Sequence, residues 1–300
     1  MMSGWQKDMH KQANQAAGIQ KMRQIKPKPV RVVAITSGKG GVGKTNLSVN
    51  IGIALSQMGQ RVALLDADMG LANVDILLGL SPQFNLSHVL QGEKTLEEIM
   101  LIGPAGLKVI PASSGVQKMS ELSNIEQAGV IRAFSEIDKN LDVLIVDTAA
   151  GISSSVVNFA RACQEIIVVV CDEPTSLTDA YAYIKLLNRD YGLSKFHIVT
   201  NMVQSVQQGQ QLFTKLTRVT DKYLDVSLAY VGAVPFDQFL RKSVQKQTPV
   251  VEAFPRSKSA LAIKNLAARI NTWPIKIQAG GYLEFFVERM IQYSTQEDAA

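Results

Sequence analysis

The chain has 300 residues, 46% of them apolar and 19% charged, which is an ordinary globular composition and enough for one large α/β core without a second domain. The two cysteines show no ligand spacing, which argues against a disulfide framework or a metal cluster, and no apolar run approaches the ~20 residues that span a membrane. The formal charge of +5 is concentrated in residues 1–31, so the remaining chain is near neutral and the sequence does not favour a nucleic-acid-binding protein. Residues 1–18 contain no apolar leader-type run, and we therefore expect a cytoplasmic protein.

Residues 1–29 are expected to form a basic arm followed by a proline linker. The Ala- and Gln-rich stretch 7–24 favours a short helix that Gly18 interrupts. The prolines in the KPKP sequence of residues 26–29 prevent a helix from continuing. Two interpretations stay open, an arm that docks on a partner and a solvated terminus.

From Val30 onward, Val- and Ile-rich runs alternate with segments of helical character. The runs are VRVVAIT, RVALLDAD, LKVIPAS, LDVLIVDT, EIIVVVC, FHIVTN and AYVGAVPF. Continuous apolar runs are typical of strands buried on both faces, so we expect a doubly wound, mostly parallel sheet flanked by helices over residues 30–278. Ligands of such sheets bind beyond the carboxyl ends of the strands.

A glycine-rich loop follows the first predicted strand. The pattern GxxxxGK[ST] is satisfied by Gly38, Lys39, Gly40, Gly41, Val42, Gly43, Lys44 and Thr45. Glycines let backbone N–H groups curl around an anion, and the following helix adds its positive dipole end. We therefore expect ATP or ADP with Mg²⁺ here, with Lys44 neutralising the β and γ phosphates and the Thr45 hydroxyl binding the metal.

Acidic residues end two of the predicted strands. Asp66 and Asp68 end the run RVALLDAD, and the alternation of side chains along a strand places both carboxylates on one side, near the magnesium ion and its water. Asp147 ends the run LDVLIVDT at the Walker B position, which holds magnesium through water. A capped strand exit with solvated acids is the alternative for the first pair.

The second lysine of the loop, Lys39, is not needed by an ordinary phosphate loop. The string KGGVGKT resembles the deviant Walker A motif of the MinD/ParA/nitrogenase iron protein class. This resemblance implies a P-loop NTPase fold, slow ATP hydrolysis and an ATP-dependent homodimer in which Lys39 reaches across to the partner's nucleotide and neutralises transition-state charge. A solvent-exposed lysine is the alternative.

The same resemblance implies roles for the residues around the phosphates. Asp68 would orient or activate the attacking water, while Asp66 would act through the water shell of the metal. Asn73 and Asp75 would sense the γ phosphate or the partner chain.

Two further groups of residues receive roles from the resemblance. The small-residue loop of Ala149, Ala150 and Gly151 resembles switch II. Asn201, Pro235 and Phe236 end two late strands and would contact the adenine base, although Asn after a strand is also a common turn residue. We keep these residues as candidates for the base site.

Longer stretches resemble the flagellar number regulators of this class, the FlhG/FleN type. They are DADMGLANVDILLGLSPQFNLSHVLQGEKTLEEI, GLKVIPASSGVQKMSEL and DEPTSLTDAYAYIKLL. The resemblance covers nearly the whole chain from Val30 and implies an ATP-driven switch that regulates flagellar number and placement, with reversible association to the inner membrane and polar placement. The implied partners are a FlhF-type GTPase, flagellar switch-ring proteins and a master flagellar transcription activator, with no specific nucleic acid.

Both ends of the chain agree with this resemblance. The segment DMHKQANQAAGIQKMR resembles the arm with which these regulators stimulate the FlhF GTPase, and Gln12, Ala13 and Arg23 are its candidate contacts. Residues 279–300 predict an amphipathic helix, and its apolar stripe consists of Tyr282, Leu283, Phe286, Val287, Met290 and Ile291. In the family such a helix inserts reversibly into the membrane surface, and docking on its own domain is the alternative, with both allowed in different nucleotide states.

Other functions of the same superclass compete with this interpretation. A MinD-type division-site ATPase and a ParA-type partitioning ATPase share the phosphate loop, and the neutral body argues against the DNA binding of the latter. A metal-cluster carrier or an ATP-dependent ligase is a further alternative. Carriers need closely placed thiolates, which two isolated cysteines do not provide.

Overall fold

The structure, a computed structural model, describes residues 29–68, 73–111, 124–138, 140–275 and 283–297. The arm candidates Gln12, Ala13 and Arg23 and the helix candidate Tyr282 lie outside these ranges.

The strands of the described residues form one eight-stranded sheet with the order β3-β4-β2-β5-β1-β6-β7-β8. In chain order they are β1 (Arg31–Ser37), β2 (Val62–Ala67), β3 (Leu101–Ile102), β4 (Lys108–Pro111), β5 (Val143–Ala150), β6 (Glu165–Cys171), β7 (Lys195–Val203) and β8 (Ser227–Pro235). All neighbours pair in parallel except β3, which runs antiparallel to β4. The seven predicted strands and the mostly parallel sheet are therefore confirmed, and the two-residue β3 is an addition.

Helices connect most of these strands within the described part of the chain. They are α1 (Lys44–Gln57), α2 (Asn73–Leu78), α3 (Leu86–Leu90), α4 (Leu96–Ile99), α5 (Asn124–Asp138), α6 (Ser154–Ala162), α7 (Pro174–Arg189), α8 (Val206–Tyr223), α9 (Gln238–Gln245), α10 (Val250–Ala253), α11 (Lys258–Asn271) and α12 (Leu283–Glu297). None of the helices described is long and apolar enough to cross a membrane.

Both faces of the sheet are covered, which explains why the strands are apolar throughout. On one face, α1, α10 and α11 pack over Val33 and Ile35 of β1 and the matching positions of its neighbours. On the opposite face, Val32 and Ala34 belong to a cluster shared with α5, α6 and α12. A third cluster joins β6 and β7 to α7 and α8. Because each strand buries both sets of alternating side chains, it reads as a continuous hydrophobic run.

Helix α12 is docked on the domain by one face. The side chains of that face are buried, namely Leu283, Phe286, Val287, Met290 and Ile291. They share a hydrophobic cluster with Phe134 of α5 and Phe159 of α6. The structure thus shows the docked alternative for five of the six residues predicted as a membrane stripe.

A cation held between two aromatic rings adds to this docking. The Arg161 guanidinium of α6 lies 3.9 Å from the ring centre of Tyr191 and 3.8 Å from that of Tyr293 on α12. Each such contact is worth about 0.5–2 kcal/mol, depending on desolvation. We call these three residues the tyrosine clamp.

Trp273, which follows α11, is anchored at the amino ends of the strands. The ring of Trp273 stacks on His197 with 3.9 Å between ring centres, and its carbonyl oxygen accepts a 2.6 Å hydrogen bond from Arg31. His197 in turn contacts Glu165 at 2.9 Å. These contacts join the residues after α11 to the amino ends of β1, β6 and β7.

Candidate functional site

The phosphate loop joins the carboxyl end of β1 to the amino end of α1. Gly41 and Gly43 have φ angles of +79° and +89°, which favour glycine and allow the backbone to curl. Gly43 precedes α1 without any side-chain cap, so the first N–H groups of the helix have no capping side chain. Free N–H groups and the positive dipole end of a helix form an anion-binding site.

Lys44 is buried at the start of α1 and points back into the loop. Its ammonium group donates a 3.0 Å hydrogen bond to the Ser37 hydroxyl, and that hydroxyl donates to the Lys39 carbonyl at 2.6 Å. Burial lowers the pKa of Lys44, while the negative charges of Asp147 and Asp68 oppose this change. A buried ammonium with one neutral partner is positioned to gain from an incoming phosphate.

Asp147 lies on β5 beside the phosphate loop and is fully buried. Its Oδ1 accepts a 2.8 Å hydrogen bond from the Ser48 hydroxyl, while its Oδ2 is enclosed without a hydrogen-bond partner. Burial raises the pKa of Asp147 to about 6, although the hydroxyl groups of Thr45 and Ser48 and the charge of Lys44 act against the rise.

Asp66 is the direct neighbour of Asp147 in the sheet, because the two residues are register partners of β2 and β5. Burial raises the pKa of Asp66 to about 7, and the nearby charge of Asp147 adds to the effect. The Asp66 carboxylate accepts weak hydrogen bonds from the N–H groups of Asp68 at 3.3 Å and Val74 at 3.4 Å. Asp66 therefore connects the metal region to the first turn of α2.

These carboxylates fit a magnesium ion. Mg²⁺ prefers hard oxygen ligands and is usually held through one or two carboxylates together with phosphate oxygens and water. The unpartnered Oδ2 of buried Asp147, the neighbouring Asp66 and the hydroxyl of Thr45 at the first turn of α1 supply such oxygens. Asp68 follows β2 directly, as the sequence predicts.

Lys39 points away from the pocket of its own phosphate loop. Its ammonium group donates to the Glu173 carboxylate and, at 2.8 Å, to the Thr175 hydroxyl at the start of α7. The hydrogen bond that Lys39 donates to Glu173 raises the pKa of Lys39. The lysine is half-exposed with 34% of its side chain accessible, and its pairing with Glu173 means that it is not a free surface lysine.

The segment predicted as a switch II loop is partly strand. Ala149 and Ala150 extend β5, and Ala150 pairs with Ser37 of β1. The Gly151 N–H then donates a 3.0 Å hydrogen bond to the Ser37 carbonyl. The expected loop at these two alanines is therefore wrong, because the backbone pairs with the strand that leads into the phosphate loop.

Asn73 and Asp75, which are predicted to sense the γ phosphate or the partner chain, lie in the first turn of α2. Asp75 accepts a 2.7 Å hydrogen bond from the N–H of Ile76. The carbonyl of Ile76 accepts at 3.1 Å from Gln247, which follows α9. Helix α2 is thus connected to the residues that follow α9 as well as to Asp66.

Asn201 is buried at the carboxyl end of β7 and contacts the phosphate loop. Its Nδ2 donates a 2.8 Å hydrogen bond to the Val42 carbonyl, which leaves Oδ1 as a buried acceptor without a partner. Met202 follows with a φ of +57° at a shift of the β7–β8 register. The bulge and the fixed amide are suited to present an acceptor toward a base.

Pro235 ends β8, and Phe236 follows with 58% of its side chain exposed. The Phe236 N–H donates to the Val203 carbonyl at 2.8 Å, which keeps both residues beside β7. The three base-site candidates therefore lie along one edge, at the ends of β7 and β8.

Three residues of this region were missed by the sequence argument. Glu173 and Thr175 carry no motif that links them to Lys39, since they lie more than 130 residues further along the chain. Ser48 carried a weak signal, because it is a polar residue on the buried side of the helix that follows the phosphate loop.

The two cysteines do not form a pair in the fold. Cys163 follows α6 and Cys171 ends β6, so they lie at opposite ends of that strand. Across the residues that the structure describes, no group of three or more His, Cys, Asp or Glu side chains could hold a metal ion.

Comparison with known proteins gives consistent matches. Residues 28–271 match the family model described as ParA, NUBPL iron-transfer P-loop NTPase. The chain is 58% identical over 265 residues to antiactivator FleN of Pseudomonas aeruginosa, covering 88% of this chain and 95% of that protein. It is 31% identical over 293 residues to flagellum site-determining protein YlxH of Helicobacter pylori, covering 93% and 99%. The MinC:MinD cell division protein complex of Aquifex aeolicus includes a chain with a TM-score of 0.64 and 27% identity, covering 83% of this chain and 99% of that one.

We expect Asp66→Asn to change how the stability of the nucleotide-free protein depends on pH. The folded-state pKa of about 7 lies above the ordinary value of 3.8, so between these values the folded protein binds more protons than the unfolded chain. The contribution of Asp66 to the free energy of unfolding is therefore largest below this pH window and decreases as the pH rises through it.

The free energy of unfolding, measured by urea titration without Mg²⁺ at about pH 5.5 and about pH 8, should fall less with pH in Asp66→Asn than in the wild type. Asp221→Asn, which changes an exposed acid of α8, serves as the control and should follow the wild type. Equal pH dependence in all three proteins would contradict the burial of a charged Asp66.

Gly38→Ala should destabilise the protein even without nucleotide. A Cβ at Gly38 would lie 2.3 Å from backbone atoms of Asp179 in α7, and such overpacking typically costs about 1–3 kcal/mol. Gly40→Ala is a matched control, because its Cβ would meet only Ala150 at 3.9 Å. Equal free energies of unfolding for the two variants would contradict the close approach of α7 to the phosphate loop.

Proposed function

The chain belongs to the ParA family of P-loop NTPases, and from this premise we propose that it is a nucleotide-switched regulator of the number and placement of bacterial flagella. It is an ATPase that binds ATP and ADP with Mg²⁺. Its similarity to an antiactivator and to a flagellum site-determining protein over nearly their full lengths supports the flagellar role.

The residues at the carboxyl edge of the sheet have different roles in ATP hydrolysis. Lys44 and the N–H groups of the phosphate loop bind the β and γ phosphates. Thr45 and Asp147 would hold Mg²⁺, with Asp66 acting through its water shell, and the metal would neutralise charge that develops on the phosphates. Asp68 orients the attacking water, while Asn201, Pro235 and Phe236 contact the base.

The main observation in support of a nucleotide-dependent switch is the direction in which the Lys39 side chain points. Its ammonium group is bonded outward to Glu173 and Thr175, so it does not serve the phosphates of its own chain. In an ATP-bound homodimer it exchanges these partners for the nucleotide of the second chain, where a positive charge stabilises the transition state.

Two exposed apolar side chains support a dimer at the same edge. Ile76 of α2 and Ile152, which follows β5, are 60% and 59% exposed. Both belong to segments next to the carboxylates that end β2 and β5. A partner chain that closes over the nucleotide would cover them, which favours association through the hydrophobic effect.

Dimerisation then controls what the protein binds. A transcription activator is the partner that the antiactivator relative supports. We extend this to flagellar switch-ring proteins and to a FlhF-type GTPase contacted by residues 1–29, with no specific nucleic acid.

The C-terminal helix supplies a reversible contact with the inner membrane. Its apolar face is buried against α5 and α6 in the single chain, so a membrane competes with the domain for the same side chains. ATP-driven dimerisation shifts α12 from the domain to the membrane surface, and a polar position of the protein follows from its flagellar partners.

Lys39→Ala should abolish the ATP-dependent dimer while leaving the fold intact. The lysine is half-exposed, and the variant removes its surface hydrogen bonds to Glu173 and Thr175 together with its contact with the partner's phosphates. The measurement is the mass of the protein by light scattering with a non-hydrolysed ATP analogue and Mg²⁺, compared with ADP. The same variant should fail to restore flagellar number in a deletion strain.

Lys94→Ala is a matched control. Lys94 has a similar exposure of 31% and also pairs with a glutamate, Glu98, but it lies between α3 and α4, far along the chain from the phosphate loop. A Lys39→Ala protein that still forms the dimer would disprove the exchange of partners.

Arg161→Ala should release α12 more easily. Removing the tyrosine clamp destabilises the docked state by about 1–2 kcal/mol. In the presence of ADP, binding to vesicles of phosphatidylglycerol and phosphatidylethanolamine should therefore rise roughly tenfold. Arg218→Ala, at an exposed position of α8, is the control for the loss of a positive charge. Vesicle binding that stays at the wild-type level would rule out docking of α12 as the restraint.

A further inference from the structure

Ser48 is a buried polar residue that the roles assigned above do not use. It lies one turn after Lys44 on α1 and is fully buried. Its hydroxyl oxygen is 2.8 Å from Asp147 Oδ1 and 3.1 Å from the Lys44 carbonyl. A serine hydroxyl carries one proton, so it donates to one of these two acceptors at a time.

The carboxylate is the stronger of the two acceptors. Hydrogen bonds to an ionised group are shorter and about twice as strong as those between neutral groups, and the contact with Asp147 is the shorter one. The carbonyl of Lys44 is in addition the ordinary i−4 acceptor of the helix, which already receives the backbone N–H of Ser48. The Ser48 hydroxyl therefore donates its hydrogen bond to Asp147 Oδ1.

The Ser48 hydroxyl matters because the Asp147 carboxylate has few other hydrogen-bond donors around it. Its Oδ2 is enclosed without a hydrogen-bond partner, while its Oδ1 accepts the 2.8 Å hydrogen bond from Ser48. Thr45 faces the same carboxylate, but its hydroxyl is the ligand of Mg²⁺ in the proposed ATPase site. Once Thr45 turns to the metal, Ser48 is the donor that can fix the carboxylate plane.

We propose that Ser48 is a positioning residue for magnesium, which holds Asp147 through Oδ1 so that Oδ2 faces the water shell of the metal. This inference rests on the proposed Mg²⁺-dependent binding of ATP. Groups that orient a metal-binding carboxylate typically contribute 10- to 100-fold to metal affinity. Ser48 touches neither nucleotide nor metal, so its effect is confined to the Mg²⁺-dependent part of binding.

The test is the affinity of a fluorescent, non-hydrolysed ATP analogue measured over a Mg²⁺ titration and again in EDTA. Ser48→Ala should need roughly tenfold more Mg²⁺ for half-maximal effect and bind the analogue as the wild type does in EDTA. Ser48→Cys, with a thiol that donates weakly, should resemble Ser48→Ala although it fills the space of the hydroxyl.

Ser56→Ala is the matched control on the same helix. The Ser56 hydroxyl oxygen is also enclosed but has no hydrogen-bond partner, so its removal should leave the Mg²⁺ titration unchanged. An unchanged Mg²⁺ requirement in Ser48→Ala would overturn the inference, as would an equal loss of affinity with and without Mg²⁺, which indicates a purely structural role. A wild type without any Mg²⁺-dependent affinity would instead refute the proposed ATP site itself.

Discussion

The structure depends on two carboxylates buried side by side at the ends of neighbouring strands. Asp66 and Asp147 are register partners, and each lies in surroundings that disfavour its charged form. Two neighbouring negative charges repel each other, so a bound cation would stabilise this arrangement. In the proposed site magnesium with a nucleotide phosphate would relieve the repulsion, and the hydrogen bond from the N–H of Val74 to Asp66 would link that change to α2.

The phosphate loop is restrained by elements that are distant in sequence. Asn201 holds the Val42 carbonyl from β7, while Asp179 of α7 packs against Gly38. Lys39 is tied to the start of the same helix through Glu173. The phosphate loop, β7 and α7 therefore form one connected set of contacts, on which the proposed nucleotide binding and release of Lys39 would both act.

Local signals in the sequence were sufficient for the strands, the phosphate loop and the acidic strand ends. Periodicity, glycine spacing and the position of Asp147 after an apolar run each depend on neighbouring residues. The contacts of Lys39 with Glu173 and of Asn201 with Val42 join residues 134 and 159 positions apart, and no local pattern predicts them. The pairing of Ala150 with Ser37 was not predicted, and the docking of α12 was predicted only as one of two alternatives, since both depend on which surface a segment meets in the folded chain.

The anchoring of Trp273 determines how far α12 can travel. Residues 276–282 separate the end of the main body from Leu283, and at most about 3.6 Å per residue they keep the start of the helix within roughly 30 Å of it. Confinement to such a volume corresponds to a millimolar effective concentration, so the domain recaptures a released helix readily. In the proposed dimer two tethered helices would reach one bilayer together, and avidity would multiply a modest affinity for lipid. The time that the protein spends on the membrane would then follow the lifetime of the dimer, and a single chain would leave soon after the pair separates.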